Sequence, residues 1–126
     1  MKERILYVED DESLSFITKD QLEMEGYDVT HSPNGKEGWS AFRKAEFDLC
    51  LLDVMLPQMD GFELYREIKK VDRKAKICFL TASELYYENF RKEKFAALDK
   101  ELFIIKPISN AELLKKIDFI LKVPDT

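Results

Sequence analysis

The sequence predicts an α/β fold in which a doubly wound, five-stranded parallel sheet is flanked by five helices. Three observations lead there. Short apolar runs alternate with amphipathic stretches of helical period along the 126 residues. Several of those runs are continuously apolar, which suits strands covered by helices on both faces. Parallel strands joined by right-handed crossovers leave few topologies, and five such units in a row favour the doubly wound sheet.

The first strand, Ile5–Val8, reads Ile-Leu-Tyr-Val. A helix follows in which Leu14, Ile17, Gln21/Leu22 and Met24 recur near the helical period, and Gly26 marks its C-terminal cap. Tyr27–His31 is the second strand. Gly38, Ala41, Phe42 and Ala45 then form a stripe of mostly small residues on a second helix, with Trp39 beside it. The third strand, Phe47–Asp53, contains Leu-Cys-Leu-Leu, and the third helix carries Leu64, Tyr65, Ile68 and Val71 on one stripe. The fourth strand, Lys76–Thr81, contains Ile-Cys-Phe-Leu. Between Glu84 and Lys100 the residues Leu85, Tyr86, Phe90, Phe95 and Leu98 do not keep one face, and the segment reads as a helix with loose ends. Leu102–Lys106 is the last strand. The final helix opens on the capping box Ser109-Asn-Ala-Glu112 and continues through Leu113, Leu114, Ile117, Ile120 and Leu121. One domain therefore spans 1–122, and 123–126 is a tail or the start of a linker.

Composition removes several functions. The formal charge is −5, which argues against direct nucleic-acid binding, because such affinity comes from Lys and Arg neutralising phosphates. No apolar run approaches the roughly 20 residues needed to cross a bilayer, and the N-terminus has no signal-peptide pattern. The expectation is a cytoplasmic protein. Cys50 and Cys78 lie singly in apolar runs and are expected as reduced, buried thiols. If the third and fourth strands pair in step, the two thiols lie side by side on one face, close but unbonded. His31 is the single histidine, too little for a histidine-based metal site. Neither GxGxxG nor GxxxxGK[ST] occurs.

Ligands of doubly wound sheets bind beyond the carboxyl ends of the strands. Here the first strand runs into Glu9-Asp10-Asp11-Glu12, the third ends in Asp53, the fourth in Thr81-Ala82-Ser83 and the fifth in Lys106-Pro107. Taken singly, each is an ordinary cap or surface group. Together they bring carboxylates, a hydroxyl and an ammonium to one edge. Two carboxylates about 4 Å apart repel by roughly 4 kcal/mol at an effective dielectric near 20, so clustering Glu9, Asp10 and Asp53 calls for a cation. Mg²⁺, a hard ion that takes oxygen ligands, suits the set. Carboxylate-held metal, Lys106 and Thr81 would together suit a phosphoryl dianion, whose transfer depends mainly on positioning and charge neutralisation. Asp53, alone at the end of an apolar strand, is the best nucleophile, since carboxylates form aspartyl phosphates.

These residues resemble the response-regulator receiver domain of two-component signalling. The resemblance covers about residues 3–122 and rests on Glu9-Asp10, the run Asp53-Val-Met-Leu-Pro57-Gln-Met-Asp60-Gly61, Thr81-Ala82 and Lys106-Pro107. It implies a flavodoxin-like sheet of strand order 2-1-3-4-5 and a phosphoacceptor at Asp53, served by the phosphohistidine of a sensor histidine kinase or by a small acyl phosphate. Glu9 and Asp10 would bind Mg²⁺ with the Asp53 carboxylate and the Met55 carbonyl. The Asp10-Asp11 register keeps Asp11 open as a ligand. Lys106 would pair with the acceptor and then the phosphate, Thr81 would be the switch hydroxyl, Ala82 the small residue beside it, and Phe103 the switch aromatic. Pro57 and Gly61 would shape the loop.

The stretch from Thr81 to Lys106 is a few residues longer than is common in this family, and Phe95-Ala-Ala-Leu-Asp-Lys-Glu-Leu102 replaces its usual Gly-Ala-containing approach to the last strand. The implied output is an altered surface on the fourth helix, fifth strand and fifth helix, through which a homodimer can form. The chain is then a stand-alone receiver or the N-terminal piece of a larger regulator with a fused effector domain or separate output partner. Two rivals remain. A haloacid-dehalogenase-type phosphatase requires a second acid two residues after its nucleophile, where this chain has Met55. A degenerate receiver acting as a phosphate-independent binding module is opposed by the intact Asp53, Thr81 and Lys106.

Overall fold

The computed structural model describes residues 2–81, 103–106 and 108–122. The expected helix at 84–100, the altered approach at 95–102, Ala82, Pro107 and the tail 123–126 lie outside the described residues.

Five strands, β1 (Arg4–Val8), β2 (Asp28–Ser32), β3 (Leu49–Asp53), β4 (Ile77–Thr81) and β5 (Phe103–Ile105), form one sheet of order β2-β1-β3-β4-β5. Every pairing is parallel. The doubly wound prediction and its strand order hold. The helices described are α1 (Glu12–Met24), α2 (Gly35–Lys44), α3 (Gly61–Val71) and the last, α4 (Asn110–Lys122). None of them is long and apolar enough to cross a membrane.

Because side chains alternate across a strand, the sheet feeds two cores. Leu6, Val8, Cys50, Leu52, Ile77 and Phe79 pack with Leu64, Tyr65 and Ile68 of α3. Ile5, Tyr7, Leu49, Leu51, Cys78, Leu80 and Ile104 pack on the other face with Leu22 of α1 and Leu113, Ile117 and Ile120 of α4. This arrangement corrects the expectation for the thiols. Both are free and buried, but β4 is offset by one residue, so Cys78 faces Leu51 while Cys50 faces Ile77. A one-residue offset inverts the side-chain face, and the two sulfurs sit in opposite cores.

Short polar residues start the helices. Asp11 accepts a hydrogen bond from the Leu14 N–H, Asn34 from Glu37 and Asp60 from Glu63, each at an N-cap. Ser109 serves α4, its Oγ accepting from the Glu112 N–H at 3.2 Å. Beyond α1, Gly26 adopts φ 98°, the left-handed turn that a residue without Cβ takes readily.

The predicted stripe of α1 is rotated. Ser15, Thr18 and Leu22 face the sheet, whereas Ile17 and Met24 are 53% and 73% exposed. Small hydroxyl residues let the helix approach closely, and Ser15 satisfies its own Oγ–H on the Glu12 carbonyl at 2.9 Å. Val71 also lies exposed, at the last position of α3.

Candidate functional site

At the carboxyl edge of the sheet, β1 runs straight into Glu9, whose N–H donates to the Ser32 carbonyl of β2 at 3.1 Å. The Glu9 side chain is only 1% exposed, and Asp53, closing β3, is 5% exposed. Asp10 stays at the surface. Lys106, immediately after β5, donates to Glu9 Oε1 at 2.8 Å and to Asp53 Oδ2 at 2.9 Å. Residues 9, 53 and 106 thus meet through one ammonium. The other Asp53 oxygen, Oδ1, accepts from the Met55 N–H at 3.0 Å, and Glu9 Oε2 accepts from the Asp11 N–H at 3.2 Å.

Two buried carboxylates sharing one half-buried ammonium leave the trio with net negative charge. Burial, followed by the hydrogen-bonded contact with Asp53, drives the Glu9 carboxyl up to about 7; Lys106 pulls the other way. Burial pulls the Lys106 ammonium down, but its bonds to Glu9 and Asp53 outweigh that and hold it above the ordinary lysine value. The cluster is electrostatically unsatisfied. Oxygen atoms of Glu9, Asp10 and Asp53 lie within 4.8 Å of one another, and three carboxylates are the hard donors that Mg²⁺ takes. The donor set fits that ion. Asp11 caps α1, its Oδ1 accepting from the Leu14 N–H at 2.9 Å.

The loop after β3 is held by backbone. Val54 N–H donates to the Leu80 carbonyl, and Gly61 N–H to the Val54 carbonyl, both at 3.0 Å. A Cβ on Gly61 would collide with the Asp53 carbonyl oxygen and lie 2.9 Å from Val54 Cα. Gln58 takes φ 70° in the same loop, a conformation uncommon outside glycine. The register places Thr81 beside Ile105, one residue short of Lys106, and Phe103 beside Phe79. The main chain therefore sets Thr81 at the same edge as Asp53, which pairs with Leu80.

Sequence reasoning missed His31. Its Nε2–H donates to the Glu9 carbonyl at 2.8 Å, and its ring lies 5.7 Å from that of Tyr7. Together with the Ser32 carbonyl it clamps the Glu9 peptide from β2. A histidine at the end of the strand predicted next to the first was the available signal.

Residues 5–118 match the family described as the response regulator receiver domain. The chain belongs to this family. The receiver is 40% identical over 121 residues to the transcriptional regulatory protein RprY of Bacteroides fragilis, covering 96% of this chain and 50% of that protein. It is 35% identical to the alkaline phosphatase synthesis transcriptional regulatory protein PhoP of Bacillus subtilis, over 97% of this chain and 50% of PhoP. The chain thus spans about half the length of these relatives. Among solved structures, a CheY-like receiver domain from Methanospirillum hungatei matches with TM-score 0.84 and 34% identity, over 96% of this chain and 94% of that one. TrrA from Thermotoga maritima, solved with Mg²⁺ and BeF, matches with TM-score 0.82 and 31% identity, over 94% and 98%. The receiver domain of response regulators is a phosphorylation-controlled signalling switch, a regulatory module of two-component systems.

Proposed function

We propose that Asp53 accepts a phosphoryl group in a Mg²⁺-dependent reaction, from the phosphohistidine of a sensor histidine kinase or from a small acyl phosphate. The observation that carries this reading is the Lys106 ammonium bonded at once to Glu9 and Asp53. It joins the ends of three strands into one site of carboxylates and a cation.

Glu9, Asp10, Asp53 and the Met55 carbonyl would hold the metal, which when bound neutralises charge on the phosphoryl oxygens. The Met55 N–H and Lys106 fix the plane of the Asp53 carboxylate, so one oxygen can meet phosphorus without a search over orientations. A new Asp53 O–P bond forms as the donor's P–N or acyl P–O bond breaks, its electron pair leaving with the donor. The product carries about 1.5–2 negative charges and three acceptor oxygens. Lys106 follows that charge, and Thr81 supplies a hydroxyl to it, with Ala82 leaving room beside it. The equilibrium then shifts by the difference in these interactions between two arrangements of the loop after β4 and of Phe103.

The output partner is proposed from the relatives. RprY and PhoP are named transcriptional regulatory proteins and are about twice as long, so residues 1–122 are read as the receiver unit of a longer regulator, its linker starting near 123. Incubation with acetyl phosphate and Mg²⁺ is expected to add one hydroxylamine-labile phosphoryl group. Asp53→Asn is expected to abolish it; undiminished labelling of that variant overturns the assignment.

A further inference from the structure

The stretch His31–Gly38, which carries β2 into α2, touches both halves of the acid site. At one end it holds the Glu9 peptide, through the Ser32 carbonyl and the His31 ring. At the other, α2 presents two glycines one turn apart. A Cβ on Gly38 would lie 2.9 Å from Val8 Cγ2 and 3.2 Å from Leu64 Cδ2, so the helix lies close on the residue that precedes Glu9. A Cβ on Gly35 would collide with the Met59 carbonyl oxygen and lie 2.6 Å from Met59 Cβ. The first turn of α2 therefore rests directly on the loop after β3, backbone against backbone.

That loop needs support at this point. Its base is closed by the Gly61 N–H on the Val54 carbonyl. At its tip the Met59 N–H donates to the Pro57 carbonyl at 2.8 Å, across Gln58 at φ 70°. A three-residue turn with positive central φ is rare and strained, and such strain persists only where the surroundings over-determine it. Met55 lies between base and tip, and its N–H fixes Asp53 Oδ1.

We propose that Gly35 is a positioning residue for the reaction at Asp53: by leaving room for the Met59 carbonyl, it seats the tip of the loop on α2 and so fixes Met55 relative to Glu9. The consequence for metal and phosphoryl binding rests on the function proposed above, whereas the seat itself rests on packing alone. Because α2 meets Val8 through Gly38 and Met59 through Gly35, one helix sets the distance between the strand that delivers Glu9 and the loop that delivers Met55.

Amide hydrogen exchange in EDTA reads the seat without metal. In Gly35→Ala the Met55 and Met59 amides are expected to exchange several-fold faster. A merely destabilising substitution speeds the core amides of Leu6 and Leu51 and leaves local opening of the loop as it was; Ile117→Val, in the opposite core, serves as that control. Mg²⁺ titration of Gly35→Ala is expected to show affinity about tenfold below wild type, a usual cost of disturbing a group behind a ligand. Asn34→Ala removes the cap on the Glu37 N–H without adding an atom at the seat. It is expected to act in the same direction to a smaller extent, and it replaces Gly35→Ala should that protein fail to fold. Unchanged exchange at Met55 and Met59, or faster exchange there with Mg²⁺ affinity as in wild type, overturns the proposal. A wild-type protein that binds no Mg²⁺ would refute the metal reading instead, and the exchange measurement would still decide the seat.

Discussion

Replacing Glu9 by Gln should stabilise the metal-free protein at pH 8. The trio of buried Glu9 and Asp53 with half-buried Lys106 carries two negative charges and one positive, and the substitution makes it neutral. The fold holds the Glu9 carboxyl at about 7 against an ordinary value of 4.5. At 1.36 kcal/mol per tenfold, such a displacement amounts to about 3 kcal/mol of strain on the ionised form. That displacement is already net of the Lys106 ion pair, and Lys106 keeps Asp53 in the variant, so a net gain of about 2–3 kcal/mol is the reasonable expectation. The sign follows from linkage. A carboxyl raised in the fold is disfavoured once ionised, so the wild-type penalty is full above pH 7 and fades as pH falls toward 4.5. Urea unfolding in EDTA should therefore show Glu9→Gln more stable at pH 8 and nearly equal to wild type at pH 5. Saturating Mg²⁺ should offset the advantage at pH 8, since a ligand at 100 times its Kd adds about 2.7 kcal/mol to the protein that binds it. A variant less stable than wild type at pH 8 in EDTA, or an advantage unchanged at pH 5, would refute the electrostatic account.

Gly61→Ala puts a methyl against the Asp53 and Val54 backbone; a loss of about 1–3 kcal/mol in chemical denaturation is expected, with slower acetyl phosphate labelling, and an unchanged protein would show that the loop yields freely. Lys106→Met leaves Glu9 and Asp53 buried without their shared cation; a loss of about 3–5 kcal/mol at pH 8 is expected in the same assay, shrinking toward pH 5 as Glu9 takes up a proton. Burial pushes both thiols up to about 12, so neither Cys50 nor Cys78 should react with DTNB at pH 8 until denaturant is added, and rapid labelling of native protein would contradict their burial. His31→Leu removes the donor to the Glu9 carbonyl and should weaken Mg²⁺ binding by roughly 5–10-fold, about the worth of one hydrogen bond, with His31→Gln recovering part of it.

Much of this was legible because the apolar runs have only one physical use. Ile5–Val8 and Leu49–Leu52 are buried without a break, and a strand apolar on both sides must lie inside a covered sheet. Site residues at strand ends then follow from topology, which is why residues 9, 53 and 106 converge. Register was not legible. Equal spacing from Cys50 to Asp53 and from Cys78 to Thr81 suggests paired thiols, yet parallel strands may be offset by a residue without altering any apolar pattern, and β4 is. Nor was the roll of α1, where Ser15 and Thr18 outcompete Ile17 for the sheet. Periodicity measures hydrophobicity and is blind to close packing by small polar side chains. His31 escaped because a lone imidazole bonding a carbonyl leaves no motif.

On the proposed function, the misfit in charge is also what would make the site responsive. One ammonium divided between Glu9 and Asp53 satisfies neither fully, so any change in charge at either carboxylate alters what Lys106 does at the other. On that reading, a cation at the acid cluster would weaken the claim of Glu9 on Lys106, and a phosphoryl group on Asp53 would strengthen the opposite claim. Reciprocity requires each to favour the other. A neutral, self-contained pair of one acid and one lysine would be more stable and would couple far less. On the proposed function, the buried second acid at position 9, costly to the resting fold, would convert a static ion pair into one that follows phosphorylation.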